Sequence, residues 1–309
     1  MGKIRYEILS KLKNANIISI ADVKKVNIKG VKYFRDYKKI INNKKINTVF
    51  ICTPNYLNNK ILIASLKNGK RVFCEKPPCI SKTEMKKLNN LNIKYKKNLT
   101  ISLNHRFHES IIYINKILKN KKLGKPIWVR ARYGKKIDSF LIKNWRFKSK
   151  FSGGGILIDQ GIHLVDLIVS LFNFQPKKIQ TLISSNFSGR LKVEDNVFLQ
   201  MRDTKKKLDI SLQSTMADWR YLFSLEILLS HGHIILNGLK TPSGRYGKEK
   251  LTIKNKKNKI IYEKQFNIDR SFEHETLNFI NNTQKFNFFN NEKIQNIVLQ
   301  IIFKAYEND

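Results

Sequence analysis

The stretch from residue 48 to residue 78 decides the fold of this 309-residue chain. It begins Thr48-Val49-Phe50-Ile51-Cys52-Thr53-Pro54, a nearly continuous apolar run of the kind that forms a buried parallel strand. A helical pattern follows over residues 60–68 and stops at Gly69, a residue type that commonly ends helices. The run Arg71-Val72-Phe73-Cys74-Glu75 predicts the next strand. Strand, helix and strand in this order predict a βαβ unit and a parallel sheet.

The same alternation extends outward from this stretch in both directions. Residues 17–22 predict a strand that ends in the acid Asp22, and residues 99–103 predict a further strand. Ser81 followed by Glu84 is a capping box, which predicts that a helix begins there. The first third of the chain is therefore expected to form a parallel α/β domain of the nucleotide-binding type.

After about residue 123 the pattern changes to longer strands with few helices between them, which predicts an antiparallel sheet. Strands are predicted over residues 127–133, 178–185, 196–201, 208–215, 221–229 and 250–254, and helices near 162–172 and 273–283. We predict an α/β domain over residues 1–106 and an α+β domain over residues 107–309, the second built on a large open, mostly antiparallel sheet.

Composition and charge limit the possible classes of function. No run of about 18 apolar residues occurs, so no membrane span is expected. The three cysteines, Cys52, Cys74 and Cys79, are too few for a disulfide framework, and they lack zinc-site spacing, which fits a reducing cytoplasm. The formal net charge of +37 raises the possibility of nucleic-acid binding. The lysines are spread along the whole chain, however, which favours a compositional origin and a surface that attracts anionic substrates.

The motif Glu75-Lys76-Pro77 follows directly on a predicted buried strand. In parallel sheets, ligands bind beyond the carboxyl ends of the strands, so Glu75 and Lys76 are expected at a ligand crevice. Lys76 is a cation that can meet a substrate oxygen, and Pro77 fixes the turn. The alternative is a charged loop with a proline stop.

A second motif joins three glycines, residues 153–155, to Asp159 and His163. The glycines predict a tight, exposed backbone turn before a helix. Asp159 and His163 are four residues apart and share one helical face. An aspartate beside a histidine can orient the imidazole and stabilise its charge, which gives a base near neutral pH. The alternative for His163 is a core histidine with satisfied hydrogen bonds.

The order of these and further motifs resembles the glucose–fructose oxidoreductase/inositol dehydrogenase (Gfo/Idh/MocA) family over nearly the whole chain. The motifs are Thr53-Pro54-Asn55, Glu75-Lys76-Pro77, Asn104-His105-Arg106-Phe107, Trp145-Arg146, Gly153-Gly154-Gly155, Asp159 and His163, with Glu194-Asp195-Asn196 and Ser271-Phe272-Glu273-His274-Glu275 as later landmarks.

The resemblance implies a Rossmann domain, a substrate domain on an open sheet, and hydride transfer between NAD(P) and a hydroxyl or keto carbon of a sugar, nucleotide-sugar or polyol. It implies that Lys76, Asp159 and His163 line the reacting centre. Cofactor contacts are expected from Gly2, Asp22, Thr53, Pro54, Asn55, Asn58, Glu75, Lys76, Pro77 and Asn104, and substrate contacts from Lys76, Arg106, Trp145, Arg146, Asp159 and His163. A homo-oligomer formed through the open sheet and a cytoplasmic location are also expected, with no metal.

The chain departs from the family pattern at its start. The dinucleotide fingerprint has an acid about 20 residues after its glycines, so Asp22 makes Gly2 the last glycine of the loop. If Gly2 were instead the middle glycine of the loop, Arg5 would lie at a position where a small residue must pack against the sheet. This second register is therefore rejected. The first strand is then absent, and two inner sheet edges should lose their ladder partners. A misassigned start or a fragment is the favoured explanation, and the alternative is a loosened domain that binds the cofactor poorly.

Two further positions bear on the cofactor. Asn58 stands where the family commonly has a histidine, and an asparagine can hydrogen-bond but cannot titrate. Asp22 favours NAD because its charge would repel a 2′-phosphate, although Lys24 and Lys25 leave NADP open. One rival to an enzyme is a catalytically silent relative that binds a ligand or partner. Another is a nucleic-acid-binding protein, which would need a clustered basic face.

Overall fold

The structure, a computed structural model, describes residues 1–91, 93–136, 144–186, 192–281 and 292–308. The chain divides into two compact units. The first unit comprises Met1–Leu103 and Phe272–Glu292, and the second comprises Asn104–Ser271 and Lys293–Asp309. The first unit therefore includes a segment that the sequence analysis had placed in the second domain. The functional division at residues 106 and 107 stays a prediction.

The first unit contains two small parallel sheets. One pairs β1 (Ser19–Ala21) with β2 (Lys32–Phe34), and the other has the order β3 (Thr48–Ile51), β4 (Arg71–Cys74), β5 (Leu99–Ile101). Its helices are α1 (Gly2–Leu9), α2 (Lys38–Ile41), α3 (Asn55–Lys67), α4 (Lys82–Asn89), α5 (Ile93–Lys96) and most of α9 (Ser271–Asn281). In the described part of the chain, β1 and β3 belong to separate sheets.

Helix α9 completes the core of the first unit. Phe279 is 1% exposed, and its ring centroid lies 5.4 Å from that of Phe50 on β3 and 5.2 Å from that of Phe73 on β4. The guanidinium of Arg71 lies 4.2 Å from the same ring centroid. Edge-to-face aromatic packing of this kind stabilises a core beyond simple area burial, so the first unit depends on a segment about two hundred residues away in sequence.

The second unit is built on a seven-stranded sheet with the order β12-β11-β10-β9-β8-β7, in which β6 also pairs with β9. Val129 on β6 pairs with both Ile210 and Ile227, so β6 contacts both halves of the long strand β9. The strands are β6 (Pro126–Lys136), β7 (Lys178–Ser184), β8 (Asn196–Asp203), β9 (Leu208–Leu229), β10 (Gly232–Asn237), β11 (Glu249–Asn255) and β12 (Ile260–Phe266). The predicted open, mostly antiparallel sheet is confirmed.

Helices α6 (Glu109–Asn120), α7 (Ser149–Ser152), α8 (Ile162–Phe172) and α10 (Glu292–Ala305) accompany this sheet. Every residue of α8 is buried. By length and composition the helical stretch Ser149–Phe172 could cross a membrane, with a mean hydropathy of 1.6, but 94% of that window is buried inside the fold. The core helix of a folded domain has the same properties, so this stretch is weak evidence for a span.

The sequence analysis missed several elements and divided one. It predicted two strands over residues 208–215 and 221–229, which the structure joins in β9. It did not predict β2, β10, β12, α6 or α10. The edge strand β12 has a mostly exposed pattern without clean alternation, so it lacks the period-two signal on which sequence prediction depends.

Candidate functional site

In the first unit, Glu75 directly follows β4, where the sequence placed a carboxylate at a ligand crevice. Its Oε1 accepts hydrogen bonds from Nε of Arg5 at 3.1 Å and from a terminal nitrogen of Arg5 at 2.9 Å. The same terminal nitrogen lies 2.6 Å from Oε2 of Glu275 on α9. Arg5 is 1% exposed. The carboxylate of Glu75 is therefore part of a buried Glu–Arg–Glu network.

The charges of this network depend on one another. Burial disfavours the charge of Arg5, but the carboxylates of Glu275 and Glu75 hold its pKa above the ordinary value. Burial raises the pKa of Glu275, and Arg5 offsets part of this increase. Ser102 and the backbone N–H of Leu103 also donate hydrogen bonds to Glu275. A buried carboxylate needs such partners, and no motif in the sequence indicated them.

Asn58 fixes the turn that carries Lys76. Its Nδ2 donates to the carbonyl oxygens of Glu75 at 3.1 Å and of Pro77 at 2.9 Å, and its Oδ1 accepts from Oγ1 of Thr53 at 2.8 Å. Asn58 is 0% exposed. It therefore ties the residues around Lys76 to the end of β3, and its predicted direct contact with a cofactor would require the side chain to leave these bonds.

Asp22 and Gly2 occupy the places the dinucleotide fingerprint requires, at the end of β1 and the start of α1. Asp22 is exposed, and its carboxylate accepts from the backbone N–H of Lys24 at 2.9 Å. Helix α1 has no side-chain cap. A Cβ added at Gly2 would meet only Cβ of Cys52, at 3.8 Å, so the structure accepts a larger residue there. The cofactor roles of both residues stay predictions.

In the second unit, the glycine turn is buried, and the predicted exposed turn is wrong for Gly154 and Gly155. A Cβ at Gly155 would overlap the carbonyl oxygen of Glu194, and one at Gly154 would overlap the hydroxyl of Tyr306. Glu194 accepts from the backbone N–H groups of Gly155 at 2.7 Å and of Leu157 at 3.1 Å. Glu194, which the sequence analysis quoted only as a landmark, thus holds the start of the helical stretch that carries Asp159 and His163.

Asp159 lies in a π-helical turn, Leu157–Gly161, just before α8. Its Oδ2 lies 2.8 Å from Nζ of Lys135, near the end of β6. The two side chains are 31% and 16% exposed, so the ion pair is only partly open to solvent. Sequence reasoning missed Lys135 because no spacing rule connects a strand residue to a helix residue 24 positions later.

His163 is 7% exposed and stacks on His105, with ring centroids 4.0 Å apart and an interplanar angle of 23°. Tyr133 joins this cluster, its ring 5.2 Å from His105 and 6.4 Å from His163. The hydroxyl groups of Tyr133 and Tyr246 are hydrogen-bonded to each other. Burial raises the pKa of Tyr133 well above its ordinary value. His163 is therefore a member of a buried polar and aromatic cluster rather than a lone core histidine.

Tyr246 extends this cluster. Nε2 of Gln160 donates to its hydroxyl at 2.8 Å, and its ring lies 5.1 Å from that of Tyr221. Burial raises the pKa of Tyr246 to about 12. A phenol with such a pKa stays protonated at neutral pH, so it acts as a hydrogen-bond donor and acceptor there.

The other predicted substrate residues differ in their surroundings. Arg106 is 2% exposed and forms a two-pronged ion pair with Asp166 on α8, so this part of its guanidinium already has a protein partner. Asn104 donates to Oγ of Ser271 at 2.9 Å. Arg146 is exposed, and its guanidinium lies 4.6 Å from the ring of Trp145. Their contacts with substrate or cofactor are not tested by these bonds.

Each unit thus brings part of the predicted site together. In the first, Thr53, Asn58, Glu75 and Pro77 share one hydrogen-bonded turn, and Lys76 lies within it. In the second, His163 and Asp159 lie on one helical stretch. In the described ranges, no group of three or more His, Cys, Asp or Glu side chains is placed to hold a metal ion.

Two sequence profiles match the chain. The oxidoreductase family with an NAD-binding Rossmann fold matches residues 6–103, and the GFO/IDH/MocA C-terminal domain matches residues 111–235. The chain belongs to the Gfo/Idh/MocA oxidoreductase family. The resemblance read from the motifs and the predicted fold class, a Rossmann-type domain with a large antiparallel sheet, are confirmed.

Curated relatives from this family are distant. Levoglucosan dehydrogenase of Pseudarthrobacter phenanthrenivorans is 29% identical over 136 residues, which are 43% of this chain and 34% of the relative. Myo-inositol 2-dehydrogenase of Thermotoga maritima is 21% identical over 254 residues, which are 78% of this chain and 73% of the relative. The chain spans about half the length, or less, of the first relatives it matches, from 34% to 54%.

Solved structures of Gfo/Idh/MocA proteins share the fold. Levoglucosan dehydrogenase in complex with NADH and levoglucosan has a TM-score of 0.77 at 18% identity, over 99% of this chain and 93% of that one. Myo-inositol 2-dehydrogenase from Lactobacillus plantarum has a TM-score of 0.79 at 20% identity, with the same coverage. At such identities the likeness concerns the fold, and the chemistry depends on the residues described above.

Proposed function

We propose that this chain is an NAD-dependent oxidoreductase that transfers a hydride between the cofactor and a hydroxyl or keto carbon of a sugar or polyol. The observation that carries the proposal is the construction around His163. Glu194 holds the start of the helical stretch, Lys135 pairs with Asp159, and His105 stacks on His163. The relatives named above act on levoglucosan and myo-inositol, which supports a substrate with several hydroxyl groups.

In the proposed reaction, His163 accepts the proton of the substrate hydroxyl as the hydride leaves the carbon. Asp159 orients His163 or supplements it as a base. Lys76 donates a hydrogen bond to the oxygen of the substrate hydroxyl. Bound NAD supplies the hydride acceptor. In the reverse direction, the reduced cofactor would supply the hydride and His163 would return the proton to the oxygen of a ketone. We also propose a catalytic role for Lys76, which the order of the motifs along the chain supports.

The first unit has groups that fit a dinucleotide. The first backbone N–H groups of α1 have no side-chain cap, and the amino end of a helix favours a pyrophosphate. The exposed carboxylate of Asp22 suits the ribose hydroxyls of NAD. We propose contacts also from the residues around the ends of β3 and β4, Thr53, Pro54, Asn55 and Lys76, and from Asn104. We propose that Asn58, Glu75 and Pro77, whose hydrogen bonds tie this turn together, hold these contacting residues in place.

A homo-oligomer formed through the open sheet and a cytoplasmic location complete the proposal. Leu182 on β7 is 63% exposed and Phe198 on β8 is 38% exposed. Exposed apolar side chains on a sheet are typical of an interface. Light scattering coupled to size exclusion tests the oligomer, and a Leu182→Lys variant that stays a dimer would contradict this choice of surface.

The experiment measures reduction of NAD and of NADP with levoglucosan and myo-inositol, by absorbance of the reduced cofactor. We expect turnover with NAD, and a decrease of about 10²–10⁴-fold for His163→Ala, the range for loss of a general base. His231→Ala is the matched control, because His231 is exposed in the turn between β9 and β10. Absence of turnover despite measurable NAD binding would instead favour a ligand-binding relative.

A further inference from the structure

Lys135 is held firmly where it contacts Asp159. It lies near the carboxyl end of β6, and the preceding Gly134 pairs with Leu222 and with Thr215, one in each half of β9. A strand paired on both sides has little freedom of backbone motion. Lys135 is half-buried at this point, whereas its neighbour Lys136 is exposed.

The pair with Asp159 differs from the ion pairs on the outer surface. Nζ of Lys135 lies 2.8 Å from Oδ2 of Asp159, and the side chains are 16% and 31% exposed. In the Arg202–Asp209 pair both side chains are at least half exposed. Water and salt screen exposed charges most strongly. The attraction between Lys135 and Asp159 is therefore weakened less than that of a surface pair.

Several other groups face Asp159 or its partners. Burial raises the pKa of Tyr133 and of Tyr246, and the negative charge of Asp159 raises both pKa values further. Asp269 acts on Tyr133 in the same sense. His163 follows four residues later on the helical stretch. These neighbours are phenols, an acid and an imidazole, and among these described groups Lys135 is a cation in direct contact with the carboxylate.

We propose that Lys135 is a positioning residue that keeps Asp159 anionic and oriented for the proton transfer assigned to His163. The inference rests on the proposed function. A cation within hydrogen-bond distance favours the charged form of a carboxyl group. When Asp159 is an anion, both of its oxygens accept hydrogen bonds, and it stabilises a positive charge on His163. When it is protonated, that stabilisation is lost. Lys135 thus lowers the pH below which Asp159 loses its charge and, with it, this stabilisation.

The experiment compares the wild type with Lys135→Met, Lys135→Arg and Lys136→Met, each also made in an Asp159→Asn background. Lys136→Met removes the same charge from the neighbouring exposed position, so it controls for net charge. Carbon-detected nuclear magnetic resonance follows the titration midpoint of the Asp159 carboxyl group in protein without cofactor. Steady-state kinetics with NAD give the pH profile of kcat/KM and the KM for NAD.

We expect Lys135→Met to move the Asp159 midpoint upward by about 1 pH unit, the low end for loss of a close opposite charge because the pair is partly exposed. The acidic limb of kcat/KM should move in the same direction, because loss of the cation favours protonation of Asp159 and of the base His163, with kcat reduced by up to about 100-fold and KM for NAD unchanged. Lys135→Arg should restore most of the activity, and Lys136→Met should match the wild type. In the Asp159→Asn background, Lys135→Met should have little further effect.

An unchanged midpoint in Lys135→Met, or an equal shift in Lys136→Met, would overturn the inference. So would a kinetic loss that persists undiminished in the Asp159→Asn background, because Lys135 would then act through another group. A wild type without turnover would contradict the proposed function alone. The resonance measurement, which needs no activity, would still decide whether Lys135 controls Asp159.

Discussion

Replacing Arg5 by methionine tests how far the first unit depends on its buried network. Methionine keeps much of the apolar stem but removes the guanidinium that binds Glu75 and Glu275. It also removes the stacking of that group on Phe73, whose ring centroid is 4.5 Å away. Two buried carboxylates would lose their cation at once, and the first unit should become much less stable.

The magnitude follows from the burial of the partners. Arg5 is 1% exposed, and the side chains of Glu75 and Glu275 are 11% and 2% exposed. Removing one partner of a buried ion pair costs about 3–5 kcal/mol, because the remaining charge stays buried without compensation. For a unit of this size we expect the melting temperature to fall by more than about 10 °C.

The loss of stability should depend on pH in a defined direction. Burial raises the pKa of Glu275 in the folded protein above its ordinary value of 4.5, and loss of Arg5 raises it further. Below pH 4.5 this carboxyl group is protonated in both folded and unfolded states, so the variant should lose least there. As the pH rises through the folded-state pKa, the unfolded state releases the proton more readily. The difference from the wild type should therefore grow toward neutral pH.

The assay is urea unfolding followed by circular dichroism from pH 4 to pH 8. Arg71→Met is the matched control, since Arg71 contacts the ring of Phe279 and backbone carbonyl groups and has no carboxylate partner among the residues that the structure describes. Arg5→Met combined with Glu275→Gln should recover part of the loss, because one buried charge is removed with its partner. A loss for Arg5→Met that equals the control, or that is constant across this pH range, would refute the reasoning.

Three further predictions concern the two candidate site regions. Gly155→Ala should reduce turnover and stability together, because its Cβ would overlap the carbonyl oxygen of Glu194; activity and melting curves check this, and a fully active, stable variant would contradict the packing. Asn58→Leu should weaken NAD binding by calorimetry more than it changes the substrate KM, since it releases the turn around Lys76; the opposite pattern would assign it elsewhere. Asp22→Ser should lower the preference for NAD over NADP, and a wild type that already prefers NADP would disprove the role of Asp22.

The sequence by itself determined the fold class and the main motifs of this chain. Apolar runs in the order strand, helix and strand predicted parallel pairing, and longer strands with few helices between them predicted the antiparallel sheet. Both signals are local, because the spacing of apolar residues within a short stretch of sequence indicates whether that stretch forms a strand or a helix. The capping box is equally local, and Oγ of Ser81 accepts from the backbone N–H of Glu84 at 3.2 Å as predicted.

The tertiary structure alone decided which groups stabilise the functional side chains. The partners of Glu75, Asp159 and the glycine turn are Arg5, Lys135 and Glu194, which are 70, 24 and 39 residues away from the groups they bind. The stacking of His105 on His163 likewise joins residues on separate elements. Such pairs form where strands and helices pack against each other in the folded protein. They cannot be predicted from the spacing of residues along the sequence. Motifs can therefore name the reacting residues, but only packing determines which charges and rings set their properties.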